Sequence, residues 1–411
     1  MLLEIYNQFI YWPKRLISDG DRFSALANIG LSTLLGCTRA GTILQAQPLP
    51  CDNWVNFISD TNPPFTKMLF RTANLTQLGE FDEIIDVRTP AEFAEDHIPG
   101  AINCAVLSNE ERITVGTLYK QVSPFEARKV GAALVAKNIA AHLQTRFHDH
   151  PKSWRPLIYC WRGGQRSGAM SIILAQVGWA AHKLEGGYKT YRRDVLDKLE
   201  ALPQGFTFRV ICGSTGSGKS RLLTALGNSR HQVLDLEMLA QHRGSVLGRL
   251  PGQTQPSQKC FDSALLLALQ KFDPALPVFV EAESNKIGLI SLPTALITVM
   301  HASECVLVET PLATRVAALL EDYRYYIENP EIFIEHLKPL HRFHGAKQLE
   351  HWGALIHAGD FQALVAELLT KHYDPSYFRA TSKHYANLDQ AQHILLEDLS
   401  GDALKEIAKD M

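Results

Sequence analysis

A chain of 411 residues is long enough for two or three folded units. With 46% hydrophobic and 20% charged residues it is neither a disordered polymer nor a collagen-like one. The 41 Lys and Arg are balanced by 43 Asp and Glu to a net charge of -2, which excludes a global basic field for nucleic acid and leaves any RNA contact to local patches.

Residues 1–67 show no sustained period and contain turn-rich pieces around Pro48 and Pro63, so an N-terminal extension of unknown role is expected. Met1–Leu16 mixes Glu4, Lys14 and Arg15 into its apolar stretch and does not read as a targeting peptide. The 7 cysteines are an odd number spread over a long chain, as reduced thiols of a cytoplasmic protein would be. Apolar runs fall short of the roughly 20 residues a membrane span needs, so no membrane partner is expected.

From Glu83 the pattern changes. Ile84–Arg88 reads as a short strand, Pro90–Ala94 as a helix and Pro99-Gly100 as a turn. A longer helix over Ala127–Gln144 leads to the apolar strand Leu157–Tyr159, then to Cys160-Trp161-Arg162-Gly163-Gly164-Gln165-Arg166-Ser167 and a helix over Ala169–Val177. Leu202-Pro203-Gln204-Gly205 is expected to be a linker between a first domain, 68–203, and a second, 204–411. There a strand over Phe206–Cys212 enters Gly213-Ser214-Thr215-Gly216-Ser217-Gly218-Lys219-Ser220 and a helix carrying Leu222, Leu223, Ala225 and Leu226. Further strands, Val278–Val280 and Cys305–Val308, end at Glu281 and Glu309, and the chain from about Ala313 reads as mainly helical. Strands alternating with helices predict an α/β protein with mostly parallel sheets in both domains.

Two loops carry chemistry. A thiol at the carboxyl end of a strand, opening a Gly-rich turn into a helix, lies where free amides and the helix dipole stabilise negative charge. Cys160 is therefore the candidate nucleophile, with Arg162 and Arg166 as cationic neighbours and Gly163, Gly164, Gln165 and Ser167 forming an anion loop. Cys104, Cys212, Cys260 and Cys305 lack such a setting and read as core. The second loop, Gly213–Ser220, matches a phosphate-binding P-loop in the strand-to-helix context that pattern requires. Its amides would cradle phosphate oxygens, Lys219 would reach between phosphates and Ser220 would ligate Mg2+. Asn285-Lys286-Ile287 is followed by Gly288 rather than Asp, so the guanine-reading pattern is absent. Asp235, Glu237, Glu281 and Glu283 stand at or after strands as candidates to hold Mg2+ or activate water, with solvated carboxylates as the alternative. Lys120, Lys189, Arg192, Arg193, His242 and Arg243 are candidate RNA or substrate contacts.

These residues carry two resemblances. Ile85-Asp86-Val87-Arg88 with Glu92-Phe93, His97-Ile98-Pro99-Gly100-Ala101-Ile102-Asn103, the Cys160 loop and Leu184-Glu185-Gly186-Gly187-Tyr188 are similar to the four successive signatures of a rhodanese domain. That implies a cysteine carrying sulfur or selenium. The Cys160 to Arg166 spacing also matches the Cys-x5-Arg loop of cysteine phosphatases, so a sulfurtransferase or phosphatase fused to a phosphate-binding domain is the alternative. Joined to the P-loop domain, Val115–Lys120, Asp235-Leu236-Glu237, His242–Ser245, Glu281–Gly288 and Tyr373-Asp374-Pro375-Ser376-Tyr377 make the chain from about Phe81 to Tyr377 resemble the tRNA 2-selenouridine synthase family. The resemblance implies replacement of sulfur by selenium in the wobble 2-thiouridine of tRNA, with selenophosphate as donor and an S-geranyl intermediate made from geranyl diphosphate. No tightly bound cofactor is expected, with Mg2+ at Ser220 at most, and the protein is expected to act as a monomer.

Overall fold

The computed structural model describes residues 71–245, 247–248 and 252–411; the expected extension, with Cys37 and Cys51, lies outside them. The first sheet contains β1 (Arg71–Ala73), β2 (Glu83–Asp86), β3 (Ala101–Asn103), β4 (Pro156–Tyr159) and β5 (His182–Leu184) in the order β1-β5-β4-β2-β3, every pair parallel. Around it run α1 (Pro90–Glu95), α2 (Asn109–Gln121), α3 (Pro124–Gln144), α4 (Gln165–Val177) and α5 (Gly187–Ala201). All four residues of β4 are buried, as a central parallel strand covered on both faces requires. Capping boxes start α1 at Thr89–Glu92 and α2 at Ser108–Glu111, satisfying amides that would otherwise lack partners.

The second unit begins with β6 (Phe208–Cys212) and α6 (Lys219–Asn228), followed by β7 (Gln232–Leu234), α7 (Leu236–Ala240), α8 (Gln258–Leu269) and β8 (Val278–Glu281). A small hairpin, β9 (Lys286–Ile287) and β10 (Ile290–Ser291), precedes α9 (Thr294–Ala302) and β11 (Glu304–Glu309). Helices α10 (Leu312–Asp322), α11 (Arg324–Glu328), α12 (Pro330–Leu337), α13 (His341–His357), α14 (Phe361–Leu368) and α15 (Asp374–His384) follow, then β12 (Gln392–Leu395) and α16 (Gly401–Lys409). The five-stranded sheet, β12-β11-β6-β8-β7, is again wholly parallel. The C-terminal part is thus not purely helical. A four-residue edge strand that is exposed along most of its length carries no readable period, and pairing with β11 alone makes it a strand.

The expected linker is not one. Leu202–Gly205 forms a 3-10 turn with Pro203 buried, and the apolar core runs without a break from Leu157, Tyr159 and Leu199 to Phe206, Phe208 and Leu296. Polar contacts tie the same junction: Lys259 Nζ lies 2.7 Å from Glu95 Oε1, Arg192 pairs with Asp262, and the buried Asp96 accepts from Tyr188 Oη at 2.6 Å and Ser263 Oγ at 3.1 Å. Burial raises the Asp96 carboxyl against the opposing pull of those two hydroxyls.

Candidate active site

Both predicted loops leave the middle strand of their sheet, β4 and β6, at its carboxyl end. This is where a parallel α/β sheet gathers loop amides and helix N-termini.

Cys160 directly follows β4 and is 3% exposed. Its Sγ accepts the Gly164 amide at 3.2 Å and lies 3.1 Å from Ser167 Oγ, so the loop curls around the sulfur. The curl depends on the Gly186-Gly187 turn. Tyr188 N donates to Cys160 O and Lys189 N to Trp161 O, both at 2.9 Å, so the start of α5 carries the backbone of the loop. A Cβ on Gly187 (φ +61) would stand 2.3 Å from Cys160 O and 2.5 Å from Gly163 N. One on Gly163 (φ +63) would stand 2.9 Å from Leu184 O, so the two turns interlock only as glycines.

Arg162 is exposed at the loop. The Arg166 guanidinium meets Glu92 at 2.7 and 3.3 Å, so part of its charge is engaged by a carboxylate from α1. Burial alone would raise the Glu92 carboxyl, but the Arg166 bond and charge hold it below its ordinary value. Glu92 also caps α1, so one side chain links the helix start to the Cys160 loop. Asp86, Arg88 and His97 are structural. Arg88 forms a buried pair with Asp86 at 2.6 Å and covers the Tyr188 ring at 3.9 Å, while His97 Nδ1 meets Phe93 O at 3.0 Å and its ring stacks on Phe93.

Thr215–Ser220 of the Gly213–Ser220 loop line a cavity of about 910 Å³. Lys219 Nζ donates to Gly213 O at 2.7 Å and Ser214 O at 3.3 Å, close to the Tyr377 ring. Helix α15 braces the loop: the Gly213 amide donates to Tyr377 Oη at 2.6 Å, and the buried Arg315 bridges Thr215 O at 2.9 Å to Asp374 at 2.6 Å. The Tyr373–Tyr377 stretch thereby acquires a physical role that its sequence alone did not disclose.

Opposite Lys219, carboxylate oxygens of Glu237, Glu281 and Glu283 lie within 4.8 Å of one another. Burial, then mutual repulsion, pushes Glu237 up to about 9 and Glu283 up to about 8. Burial raises Glu281 too, against the pull of Lys219 and Ser220, and its buried Oε1 has no hydrogen-bond partner. Hard oxygen donors converging beside Ser220, with an orphaned buried oxygen, fit a Mg2+ ion bound with phosphates. Asp235, expected in this group, instead caps α7 by accepting from Met238 N at 2.8 Å. No other three His, Cys, Asp or Glu side chains converge in this way among the described residues.

The candidate RNA residues divide. Lys120, Lys189 and Arg193 are exposed at the end of α2 and on α5. Arg192 does not join them, because Asp262 and Lys259 O hold it at the domain junction. His242 is buried, 8% exposed, and is no surface contact. Arg243 lines the P-loop cavity over the Tyr323 ring. Of the cysteines read as core, Cys104, Cys212 and Cys305 are buried and Cys260 is half-buried.

A rhodanese-like domain model matches residues 72–194, and one described as the tRNA 2-selenouridine synthase AAA domain matches 206–343. The chain is 34% identical over 326 residues to the tRNA 2-selenouridine synthase of Shewanella loihica, covering 72% of this chain and 86% of that relative. It is 33% identical over 338 residues to that of Hydrogenovibrio crunogenus, covering 74% and 91%. This chain belongs to the tRNA 2-selenouridine synthase family. Against the Nitrosomonas europaea member identity rises to 39% over 247 residues, while the match spans 63% of that relative's length. The first match ends at 194 and the second begins at 206, with the Leu202–Gly205 turn between them and one loop in each.

Proposed function

We propose that the chain exchanges sulfur for selenium in the wobble 2-thiouridine of tRNA in the cytosol, drawing selenium from selenophosphate and passing through an S-geranyl intermediate made from geranyl diphosphate. The observation that carries the reading is the Cys160 loop: a sulfur at a strand end, held by the Gly164 amide and flanked by the exposed Arg162. That setting suits a thiolate that attacks the phosphorus of selenophosphate: the S–P bond forms as the P–Se bond breaks, with loop amides and Arg162 holding the phosphoryl oxygens. The freed selenide displaces geranyl thiolate from C2 of the uridine, and water then releases phosphate from Cys160. Trp161, 37% exposed next to the sulfur, offers a ring on which a splayed wobble base stacks, and Lys189 and Arg193 offer phosphate contacts on the same helix start.

The P-loop serves the other half-reaction. Gly213–Ser220 receives the diphosphate, and Lys219 neutralises it. Ser220 with Glu281 and Glu283 would hold Mg2+, which supplies charge neutralisation of the leaving diphosphate. Prenylating the 2-thio group turns a poor leaving group into a good one, which is why one chain needs both loops.

The test is mass analysis of tRNA nucleosides after reaction with each variant. Cys160→Ala is expected to abolish 2-selenouridine while S-geranyl-2-thiouridine still forms; selenation that survives the substitution removes Cys160 from the mechanism.

A further inference from the structure

A second, narrower cavity of about 50 Å³ adjoins the P-loop cavity. Thr215, Ser245, Leu319, Tyr323 and Tyr373 line both, so the two spaces meet at a shared mouth immediately above the phosphate loop. Beyond it the walls are apolar: Tyr326 from α11, Phe333 from α12, and Phe361, Val365 and Leu368 from α14. The Tyr326 hydroxyl is already engaged, by Leu247 O at 3.3 Å and His336 Nδ1 at 2.6 Å. A nucleobase placed there would bury ring N–H and carbonyl groups without partners, which is costly, whereas a hydrocarbon asks for no hydrogen bond.

We propose that this chamber receives the hydrocarbon tail of a prenyl diphosphate whose phosphates lie on Gly213–Ser220. The inference rests on the prenyl-transfer reading above and adds to it the residues that recognise the tail, all of them from the C-terminal helices. The chamber's about 50 Å³ is less than a geranyl tail occupies, so a tail enters only as lining side chains such as Phe361 and Val365 turn aside, and each further isoprene unit demands more such movement.

Titration calorimetry on the full chain, with Mg2+, tests this using inorganic pyrophosphate, dimethylallyl diphosphate, geranyl diphosphate and farnesyl diphosphate. Affinity should climb from pyrophosphate to geranyl diphosphate, by up to about fourfold for each methylene buried, and gain nothing further with farnesyl diphosphate. Val365→Trp fills the chamber and should weaken geranyl diphosphate by about tenfold or more while leaving pyrophosphate within about twofold. Equal affinities for pyrophosphate and geranyl diphosphate, or a Val365→Trp protein that binds geranyl diphosphate normally, overturn the assignment. If pyrophosphate fails to bind the wild-type chain, the diphosphate reading of the P-loop itself is lost and the chamber assignment with it. If Val365→Trp loses pyrophosphate as well, Phe361→Ala decides: a preference shifted toward farnesyl diphosphate upholds the chamber, and an unshifted one ends it.

Discussion

The Cys160 loop and the P-loop are the same device built twice: each leaves the central strand of a five-stranded parallel sheet and opens into a helix. They differ in what surrounds them. The first closes on one atom, with the Cys160 sulfur buried, the Gly186-Gly187 turn pressed against its backbone and Arg166 occupied by Glu92. The second opens into a large cavity whose acidic wall is held at raised proton affinity by burial and by mutual repulsion. The comparison teaches that a strand-loop-helix unit does not choose between presenting a reactive group and gripping a ligand; the neighbouring elements choose.

Breaking the interlock tests the first half of that contrast most severely. Gly187→Ala sets a Cβ 2.3 Å from Cys160 O at a positive φ, and should cost about 2 kcal/mol or more in thermal or denaturant unfolding and lower selenation at least about a hundredfold. Anion binding at the P-loop should survive, and a Gly187→Ala protein with full selenation would show that the turn does not shape the thiol loop. Lys219→Ala attacks the second half and should weaken pyrophosphate binding about tenfold to a hundredfold, read by calorimetry, while leaving the Cys160 loop intact.

A finer probe uses protons. Glu237 and Glu283 keep protons in the folded chain up to about pH 9 and 8, whereas in the unfolded chain they release them near their ordinary value of 4.5. The folded state therefore binds more protons between these limits, and without divalent cation its melting temperature should fall as pH rises from about 5 to 9. Adding Mg2+ should restore stability most at the alkaline end, because bound metal needs the ionised carboxylates. Glu283→Gln should flatten both trends in a series of melting curves; trends of unchanged steepness would refute the shared carboxylate site. The smallest effect is expected from Glu92→Gln, which releases Arg166 and should cost only about 1 kcal/mol in denaturant unfolding, with selenation reduced and pyrophosphate binding untouched.

The sequence announced the centres of both units because largely apolar strands such as Leu157–Tyr159 and Phe208–Cys212, followed by glycine-rich loops, are local patterns. It did not announce β1, β7 or β12, which are three or four residues long and exist as strands only through their neighbours. The same divide runs through the site. Cys160, Lys219 and Ser220 were legible from residue type and spacing, whereas Glu92 meets Arg166 from 74 positions away and Asp374 meets Arg315 from 59. Glu237, Glu281 and Glu283 were visible as strand-end acids, but their convergence, and the departure of Asp235 to a helix cap, depend on how β7 and β8 pair.

The sealed turn at Leu202–Gly205 has a kinetic corollary for the proposed reaction. With an unbroken apolar seam fastening one sheet to the other, the described residues offer no hinge at this junction by which to carry a nucleoside from the prenylating station to the selenating one. The journey then falls to the RNA, whose anticodon arm must let go of one mouth and be recaptured at the other, so an unlabelled tRNA chase added mid-reaction should trap the alkylated species in solution.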